Sequence, residues 1–566
     1  MPTTYGEYGD EVKRASKSLL ALGLDKHSAV CILGFNRPEW VILDVAVMSI
    51  GGVPAGIYTT CSPEETRYIL QHAECSLVLV ENTMQFEKIQ KAGKAADGSD
   101  ALPLLKHIVM MQGAALPEDP RAMSWEQFLE KGSAVSDSEF FSRLDALEPD
   151  GLATLIYTSG TTGPPKGVML SHRNLAWTVQ AGVAMNGIGP SDRMLSYLPL
   201  SHIAEQLFSI HVPITSGAAI YFAESIENMG ENLKEVRPTL FFGVPRVWEK
   251  FYAVVSQKLA LATGAKKRIL AFARETGRKM SELKCRGELP GMALALQYEI
   301  ANRLVFKKLK EAMGLDQARI LVTAAAPISK ELLEFFASLD LLLREVYGQS
   351  EDCGPTTSNR AGMTKLGTVG PAYPGVTVKI AEDGEILVKG PNVFLGYYKD
   401  PEATAEVLKE GWLCSGDLGE FDADGYLSIT GRKKEIIITA GGKNIAPKNI
   451  EMALKANPLI GEAVVIGDRQ KYLTVLIALE PEKAKIFAAE HGHSGPAHEC
   501  PALIPVLQKT VDEVNETLAR VETLKKFHVV SRPFSMEAGE LTPTLKLKRA
   551  KVAKNFAAEI EAMYKE

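Results

Sequence analysis

A loop rich in glycine and hydroxyl residues is the strongest chemical signal in the sequence. The run YTSGTTGPPKG at residues 157–167 leaves an apolar segment and ends near Lys166. Small residues let backbone N–H groups approach a phosphate closely, hydroxyl groups add donors, and the ammonium group neutralises charge. A P-loop differs, because here Pro165 precedes the lysine and Gly167 follows it. A solvated surface turn is the alternative, but this composition is unusual for one, and we interpret the run as a phosphate-binding loop.

Further segments place charged or aromatic residues where nucleotide chemistry could use them. They are YGQSE at 347–351, SGD at 415–417, GRKK at 431–434 and TPTLK at 542–546. The carboxylates of Glu351 and Asp417 suit a divalent cation or ribose hydroxyls, and Tyr347 offers a flat face to a base. Each has an ordinary alternative: a surface charge, a turn aspartate and, for the basic stretch LKLKRAKVAKN, a solvated helix face or a patch for anionic lipid.

The elements that must position these residues alternate between two periodicities over roughly the first 240 residues. Apolar β-type runs such as SAVCILG (28–34), SLVLVE (76–81) and ATLIYT (153–158) are separated by stretches of helical period. Long helical patterns follow over 246–313. This alternation predicts an α/β fold in which parallel or mixed sheets are covered by helices.

The composition changes after Gly348, where Gly and Pro become dense and short β-type runs follow. The turn EDG at 382–384 predicts a hairpin, and we expect a β-barrel-like subdomain in this stretch. From Gly431 a new alternation of helix and strand begins, which predicts a small α+β domain.

The overall composition excludes several classes of protein. Of 566 residues, 46% are hydrophobic and 23% charged, which excludes wholesale disorder, collagen and coiled coil. The net charge of −6 gives no electrostatic reason to expect nucleic acid as a partner. Seven cysteines without a C-x-x-C pair predict reduced thiols. The N-terminus lacks the apolar region of a signal peptide, and the uncharged stretch 45–63 is interrupted by Gly and Pro, so we expect a cytoplasmic protein without a membrane span.

Together, the five segments resemble the motifs of the adenylate-forming superfamily, which includes acyl-CoA synthetases, luciferases and the adenylation domains of peptide synthetases. They follow one another in the family's order and spacing, and the resemblance covers nearly the whole chain. It implies a large lobe over 1–431 and a small mobile domain over 432–566. The reaction that it implies joins a carboxylate and ATP into an acyl-adenylate with release of pyrophosphate, followed by thiolysis with coenzyme A.

The resemblance also implies which residues contact the nucleotide. They are Thr158, Ser159, Gly160, Thr161, Thr162, Gly163, Pro164, Pro165, Lys166, Ala325, Tyr347, Gly348, Gln349, Ser350, Glu351, Asp352, Asp417, Arg432 and Lys546.

Five residues receive more specific roles from the resemblance. Thr161 and Glu351 would hold Mg²⁺, and Lys546 would bridge the developing charge between the carboxylate and the α-phosphate. Lys434 would be the hinge about which the small domain rotates between the two half-reactions. His202 in LPLSHIAEQ would line the acyl pocket, with a buried or capping histidine as the alternative.

Local features within the superfamily point to a substrate class. The stretch EWVILDVAVMSIGGVPAGIYTTCSPEE and the late segment ITAGGKNIAP are most similar to long-chain fatty-acid–CoA ligases of the bubblegum-type branch. The resemblance therefore implies a long-chain fatty acid, ATP and coenzyme A as small-molecule substrates, with peripheral contact to the endoplasmic reticulum or another intracellular membrane. The alternatives are a ligase for medium-chain, aryl or very-long-chain acids, or an adenylate-binding pseudoenzyme.

Three features depart from simple expectations. Leu545 stands before the lysine where many relatives have Gly, as long-chain enzymes commonly do. Relatives usually carry several dozen more residues before the TYGEY segment. The run HGHSGPAHEC at 491–500 gathers histidines and a cysteine, but its spacing matches no zinc finger and we expect no metal there.

Overall fold

The computed structural model of the protein describes residues 2–95, 97–158, 164–440, 443–542 and 546–565. Its first part alternates strands and helices, as the periodicity predicts. The elements are α1 (Tyr5–Ala21), β1 (Ala29–Leu33), α2 (Pro38–Ser49), β2 (Val53–Ile57), α3 (Pro63–His72), β3 (Leu77–Val80), α4 (Thr83–Ala92), β4 (His107–Met110), β5 (Ala122–Ser124), α5 (Trp125–Lys131), α6 (Asp137–Asp145), β6 (Leu152–Thr158), β7 (Lys166–Ser171) and α7 (His172–Asn186).

A second alternating region follows and contains the long helices. Its elements are β8 (Arg193–Ser196), α8 (Ile203–Gln206), α9 (Val212–Ser216), β9 (Ala219–Phe222), α10 (Met229–Val236), β10 (Leu240–Phe242), α11 (Pro245–Ala260), α12 (Gly264–Arg286), α13 (Met292–Ala301), α14 (Lys307–Met313), β11 (Ile320–Thr323), α15 (Lys330–Ser338), β12 (Leu343–Tyr347) and β13 (Thr357–Ser358). A π-helical turn joins α13 to α14, so residues 292–313 form one continuous helix.

The remaining elements are short strands and then an α+β unit. They are β14 (Thr377–Ile380), β15 (Glu385–Lys389), β16 (Gly396–Tyr397), α16 (Pro401–Val407), β17 (Leu408–Lys409), β18 (Trp412–Phe421), β19 (Leu427–Arg432), β20 (Ile437–Ile438), β21 (Asn444–Ile445), α17 (Pro447–Lys455), β22 (Ile460–Ile466), β23 (Leu473–Leu479), α18 (Pro481–Glu490), α19 (Leu503–Glu516), β24 (Leu524–Val529), α20 (Arg549–Asn555) and α21 (Ala557–Tyr564).

Two mixed sheets form the centre of the large part of the chain. Within the described residues, the first has the order β16-β7-β6-β2-β1-β3-β4-β5, and the second has the order β13-β12-β11-β10-β8-β9. The strands from β1 to β6 run parallel, whereas β7, β16 and β13 join antiparallel. The predicted α/β class with parallel and mixed sheets is therefore confirmed.

Burial on both faces explains why the strands read as continuous apolar runs. In β1, Ala29, Cys31 and Leu33 enter one hydrophobic cluster, while Val30 and Ile32 enter the cluster on the opposite face of the sheet. Helices cover both faces, so no position of the strand is left for a polar residue.

The Gly-rich stretch forms an antiparallel sheet of the order β14-β15-β18-β17, with β19 on β18. The predicted EDG hairpin joins β14 to β15, and Gly384 at its turn has φ +84°. Beyond it, the described residues from Ile437 onward fill two hydrophobic clusters of their own around the sheet β22-β23-β24. This α+β unit carries its own core, as the sequence predicts.

The uncharged stretch 45–63 is the end of α2, a turn and the buried strand β2. Across the described ranges, the helices include none with the length and apolar character that crossing a bilayer requires.

Candidate active site

The predicted phosphate-binding loop connects β6 to β7. Thr158 and Lys166 are paired across these antiparallel strands, and the Thr158 hydroxyl lies 3.4 Å from the carbonyl oxygen of Lys166. Pro164 is exposed and Pro165 is partly buried at the start of the returning strand. Residues 159–163, which include the predicted ligands Ser159, Gly160, Thr161, Thr162 and Gly163, lie outside the described residues.

Lys166 faces an acidic and aromatic neighbour that the motif does not contain. Its Nζ lies 3.8 Å from a carboxylate oxygen of Asp400 and 4.7 Å from the centre of the Tyr397 ring. Tyr397 comes from β16, which pairs with β7. The segment YYKD at 397–400 was the only signal that could have revealed these contacts, and it carries no motif of its own.

The same tyrosine also holds the predicted metal ligand Glu351. The Tyr397 hydroxyl donates a hydrogen bond of 2.8 Å to Glu351 Oε1. Glu351 lies in the short helical turn after β12, which brings the Gly-x-Ser-Glu segment next to the strand that begins with Lys166. Two motifs that are far apart in sequence therefore share one neighbour.

Close backbone packing fixes the turn that carries Glu351. A Cβ atom at Gly348 would lie 1.5 Å from the carbonyl oxygen of Gly354, so only glycine fits there. Asp352 Oδ1 accepts a 2.6 Å hydrogen bond from the backbone N–H of Gln349. The Asp352 side chain is fully buried, and burial raises its pKa well above the ordinary value. It holds the turn from inside the protein, next to the buried Ser350.

Asp417 connects the predicted base-binding and ribose-binding residues. It accepts a 2.7 Å hydrogen bond from Arg432 Nε and a 3.0 Å hydrogen bond from the Tyr347 hydroxyl. Asp417 and Arg432 are directly opposite each other on β18 and β19. The carboxylate raises the pKa of Arg432, and burial together with the charge of Asp417 raises the pKa of Tyr347. Three residues from separate motifs thus form one network.

Lys546 lies near the network of Asp417 and Arg432 although it comes from the far end of the chain. Its backbone N–H donates to Thr542 Oγ1, and Leu541 and Leu547 form a β-bridge next to it. The side chain is accessible to solvent, yet protein atoms crowd its ammonium group. This desolvation, reinforced by the charge of Arg432 and opposed by that of Asp417, lowers the pKa of Lys546 to about 8.

A second lysine, Lys448, joins this cluster and was missed by the sequence reasoning. It is partly buried at the start of α17, and burial lowers its pKa while the charges of Asp417 and Glu435 oppose the shift. Its charge also acts on Lys546. The sequence APKNIE offered no pattern that separates this lysine from a surface residue.

His202 lies at the start of α8, where its Nδ1 accepts a 3.2 Å hydrogen bond from the backbone N–H of Ala204. Burial, with a smaller effect from the charge of Lys546, lowers the pKa of His202 to about 4. The ring is therefore neutral near pH 7. His202 therefore caps the helix, as the alternative interpretation predicts, and also lies close enough to Lys546 to be affected by its charge.

Ala325 follows β11 and has a φ angle of +72°, in the left-handed region that residues other than glycine rarely adopt. The residue is exposed, so nothing packed around its methyl group explains the conformation. A strained, exposed backbone beside the strand ends of a parallel sheet is a common feature of binding loops.

The predicted hinge residue Lys434 is exposed in the short turn Lys433–Glu435 that follows β19. Its neighbour Lys433 is held by the large part of the chain, with Nζ 2.6 Å from Asp383 and 2.9 Å from Glu385. These two carboxylates raise the pKa of Lys433. The chain is therefore anchored up to Lys433, and the next residue is free of such contacts within the described part of the protein.

The described residues contain no group of three or more His, Cys, Asp or Glu side chains that could hold a metal ion. His491 and His493 each lie near a backbone carbonyl oxygen, of Phe487 and Pro496, and Cys500 is buried. Of the two predicted Mg²⁺ ligands, only Glu351 lies among the described residues. One of its carboxylate oxygens accepts the hydrogen bond from Tyr397, and the other has no hydrogen-bond partner among these residues, so it could bind the ion. A single carboxylate suits Mg²⁺, which keeps waters and binds substrate phosphates.

Comparison with known proteins identifies the family. The sequence pattern described as AMP-binding enzyme matches residues 2–398, and the pattern described as AMP-binding enzyme C-terminal domain matches residues 434–566. The chain belongs to the AMP-binding enzyme family. It is 38% identical to the long-chain-fatty-acid–CoA ligase ACSBG2 of Xenopus laevis over 100% of this chain and 80% of that protein.

A further relative supports this placement, and a solved structure shows the same fold. The long-chain-fatty-acid–CoA ligase FadD15 of Mycobacterium tuberculosis is 37% identical over 99% of this chain and 92% of its own length. The adenylation domain of a carboxylate reductase from Mycobacterium chelonae shares the fold, with a TM-score of 0.74 and 23% identity over 100% of this chain and 84% of that chain. The predicted resemblance to acyl-CoA synthetases and their bubblegum-type branch is confirmed.

Proposed function

We propose that this AMP-binding enzyme is an ATP-dependent long-chain fatty-acid–CoA ligase. It converts the acid, ATP and coenzyme A into acyl-CoA, AMP and pyrophosphate through an acyl-adenylate. The observation that carries the proposal is the position of Lys546, from the C-terminal unit, beside Asp417 of the large lobe and its partner Arg432. This arrangement places a cation where two anionic substrates must meet.

In the first half-reaction, a carboxylate oxygen of the fatty acid attacks the α-phosphorus of ATP. The bond between the α-phosphorus and the bridging oxygen breaks, and pyrophosphate leaves with that electron pair. Lys546 stabilises the charge that develops between the two reacting groups. Arg432 and Lys448 add positive charge around the phosphate, and Asp417 accepts hydrogen bonds from the ribose hydroxyls.

The remaining predicted residues hold the rest of the nucleotide. We assign the loop from Thr158 to Lys166 to the β- and γ-phosphates, the Tyr347 ring to the adenine, and the backbone at Ala325 to the edge of the base. Gly348, Gln349 and Ser350 form the turn that carries Glu351, and the buried Asp352 carboxylate holds that turn through its hydrogen bond from the Gln349 backbone. Mg²⁺, held by Glu351 and Thr161 together with the phosphates, would neutralise the charge of the leaving pyrophosphate.

In the second half-reaction, the thiol of coenzyme A loses its proton and attacks the acyl carbonyl carbon, and AMP leaves. Lys546 belongs to the first step only, so the small domain must move it away and present another face. We place the rotation at Lys434, just beyond the boundary between the lobes 1–431 and 432–566. The separate hydrophobic core from Ile437 onward supports a unit that can move as a body.

The neutral His202 suits the wall of an acyl pocket, because an uncharged ring at this point costs less to bury beside a hydrocarbon chain than an imidazolium. We propose that the enzyme acts in the cytoplasm and contacts an intracellular membrane peripherally, where its fatty-acid substrate dissolves.

The test is pyrophosphate release by the purified protein with ATP, Mg²⁺ and acids of graded chain length and type. We expect turnover with saturated long-chain acids and little with short-chain or aromatic acids. Turnover with an aromatic acid and none with long-chain acids would overturn the substrate class. Absence of pyrophosphate release with every acid, in a protein that binds ATP, would favour the pseudoenzyme.

A further inference from the structure

The helical hairpin formed by α12 and the continuous helix over residues 292–313 carries a surface that the proposed reaction does not use. Its inner seam is built by Ala273, Ala301 and Phe306, which form a buried cluster with Tyr298 beside it. On a helix of 3.6 residues per turn, Met292, Leu296 and Ile300 lie on the side opposite to that seam.

Large apolar side chains on this outer side are open to solvent. Met292 is 92% exposed and Leu296 65% exposed, and Leu304 continues the stripe one turn beyond Ile300. Leu289, in the turn that joins the two helices, is 92% exposed. A contiguous stripe of large apolar side chains at helical spacing is unlike the scattered single residues of an ordinary surface.

The hairpin also differs from the rest of the chain in its charge. Residues 261–313 contain 12 Lys and Arg against 5 Asp and Glu, a net charge of +7 in a chain whose total is −6. The exposed carboxylates Glu275, Glu288 and Glu299 form ion pairs with other cations of the hairpin and leave this excess unpaired. Within the described residues, no carboxylate lies within ion-pair distance of Lys266, Lys267, Arg268, Lys307 or Lys308.

Lys307 follows Leu304 on the same outer side of the helix. Cations at the end of an apolar stripe are the pattern of helices that lie in the plane of a bilayer, with apolar side chains among the acyl chains and cations at the headgroups. An acidic protein surface would attract the cations but give the apolar stripe nothing to enter, and a second copy of this hairpin would bring like charges together.

We propose that the outer face of this hairpin, defined by Leu289, Met292, Leu296, Ile300 and Leu304 together with Lys307, docks the enzyme on an anionic lipid membrane. This proposal extends the proposed function, because it names the surface that contacts the membrane in which the fatty-acid substrate dissolves. Only the biological reason for the contact rests on the proposed function. The contact itself needs no nucleotide, fatty acid or coenzyme A.

The test is cosedimentation of the full-length protein with vesicles, without substrates, so that its outcome is independent of whether the ligase reaction is assigned correctly. We expect binding to phosphatidylcholine vesicles that contain phosphatidylserine, weaker binding to phosphatidylcholine alone, and loss of binding with added salt. The variant Met292→Ser/Leu296→Ser/Ile300→Ser should bind roughly tenfold more weakly or worse. The variant Lys307→Gln/Lys308→Gln should reduce the preference for phosphatidylserine.

The matched control is Met84→Ser/Ile486→Ser/Val521→Ser, which removes three exposed apolar side chains elsewhere. It should bind vesicles like the wild type. A Met292→Trp variant provides a reporter whose fluorescence brominated lipids should quench, which tests the contact even if the triple variant folds poorly.

Equal vesicle binding by the wild type and the apolar-stripe variant, or no binding of the wild type to anionic vesicles, would overturn the proposal. So would a wild-type dimer, measured by light scattering, that the stripe variant converts to a monomer, because the face would then bind a second copy of the chain.

Discussion

Arg432 donates a hydrogen bond of 2.7 Å from Nε to Oδ1 of Asp417, the residue directly opposite it on the neighbouring strand. The pair joins the last residue of β19 to the middle of β18, and Asp417 also accepts from Tyr347. One buried carboxylate therefore fixes both the ring that we assign to adenine and the arginine that we assign to the phosphate.

Replacing Asp417 should weaken nucleotide binding more than it weakens the fold. In Asp417→Asn the charge that orients Arg432 is lost, and we expect KM for ATP to rise roughly tenfold or more in pyrophosphate-release assays. Asp422→Asn in the same hairpin is the matched control, since Asp422 is bound to Lys365 on the surface. Unchanged KM in Asp417→Asn would contradict the assigned ribose contact.

Lys546→Ala should separate the two half-reactions. Loss of the ammonium group removes stabilisation of the first transition state, and we expect adenylate formation to fall by roughly a hundredfold or more. Thiolysis of supplied acyl-adenylate should proceed at near the wild-type rate, measured as acyl-CoA formed. Lys554→Ala, an exposed lysine on the next helix, is the control. Equal loss of both steps would show that Lys546 has a structural or general binding role.

The lowered pKa of Lys546 predicts an alkaline limit for adenylation. Because the step needs the protonated amine and its pKa is about 8, kcat/KM for ATP should fall as pH rises through about 8. The bound nucleotide adds negative charge and raises this pKa, so kcat should fall only at higher pH. In Lys546→Arg the side chain stays protonated, and whatever activity remains should lack this limit. A wild-type profile that stays flat to about pH 9.5 would refute the role of this amine.

Fixing the backbone at the hinge should also separate the half-reactions, with the opposite result. Lys434→Pro restricts φ at the residue after the anchored Lys433. We expect pyrophosphate release in the first turnover to remain and acyl-CoA formation to fall at least roughly tenfold. Lys434→Ala keeps the backbone free and should retain both steps. If the proline variant forms acyl-CoA at the wild-type rate, the rotation occurs at another residue.

The buried Asp44 predicts a stability that depends on pH away from the active site. Neither carboxylate oxygen has a hydrogen-bond partner among the described residues, and burial raises the pKa of Asp44 to about 8. Since the folded state holds this proton more tightly than the unfolded state does, the free energy of unfolding falls as pH rises from about 4 to about 8.

Asp44→Asn should remove that dependence and raise the free energy of unfolding near pH 7.5 by about 2–4 kcal/mol, measured by denaturant titration at several pH values. The exposed Asp10→Asn in the adjacent helix should change it by less than about 0.5 kcal/mol. A variant that is less stable than the wild type at pH 7.5 would mean that Asp44 makes a favourable contact.

Much of the fold was predictable because strands buried on both faces have a simple signature. The runs around Val30 and Val78 became central parallel strands, and the glycines at 264 and 287 mark helix boundaries with positive φ, as the broken helical pattern indicates. The motif segments also come together in space, since Tyr347, Asp417 and Arg432 form one network.

The residues near the site that the sequence did not reveal have one physical feature in common: only the tertiary structure brings them there. Tyr397 and Asp400 reach Lys166 only because β16 adds antiparallel to β7, a pairing between distant segments that no local pattern encodes. Lys448 comes near Asp417 only because the C-terminal unit packs against the large lobe. Single-sequence reasoning detects residues whose local context is unusual, whereas these have ordinary neighbours in the sequence.

The ion pairs just before Lys434 have a mechanical consequence. Arg432 is bound to Asp417, and Lys433 is bound to Asp383 and Glu385, so ion pairs hold two consecutive residues against the large lobe. Any change in the backbone angles of this connection must then occur at Lys434 or beyond it, and β19 keeps its conformation. In the proposed rotation, the changes in φ and ψ would therefore begin at Lys434, and the centre of the motion would stay fixed relative to β19.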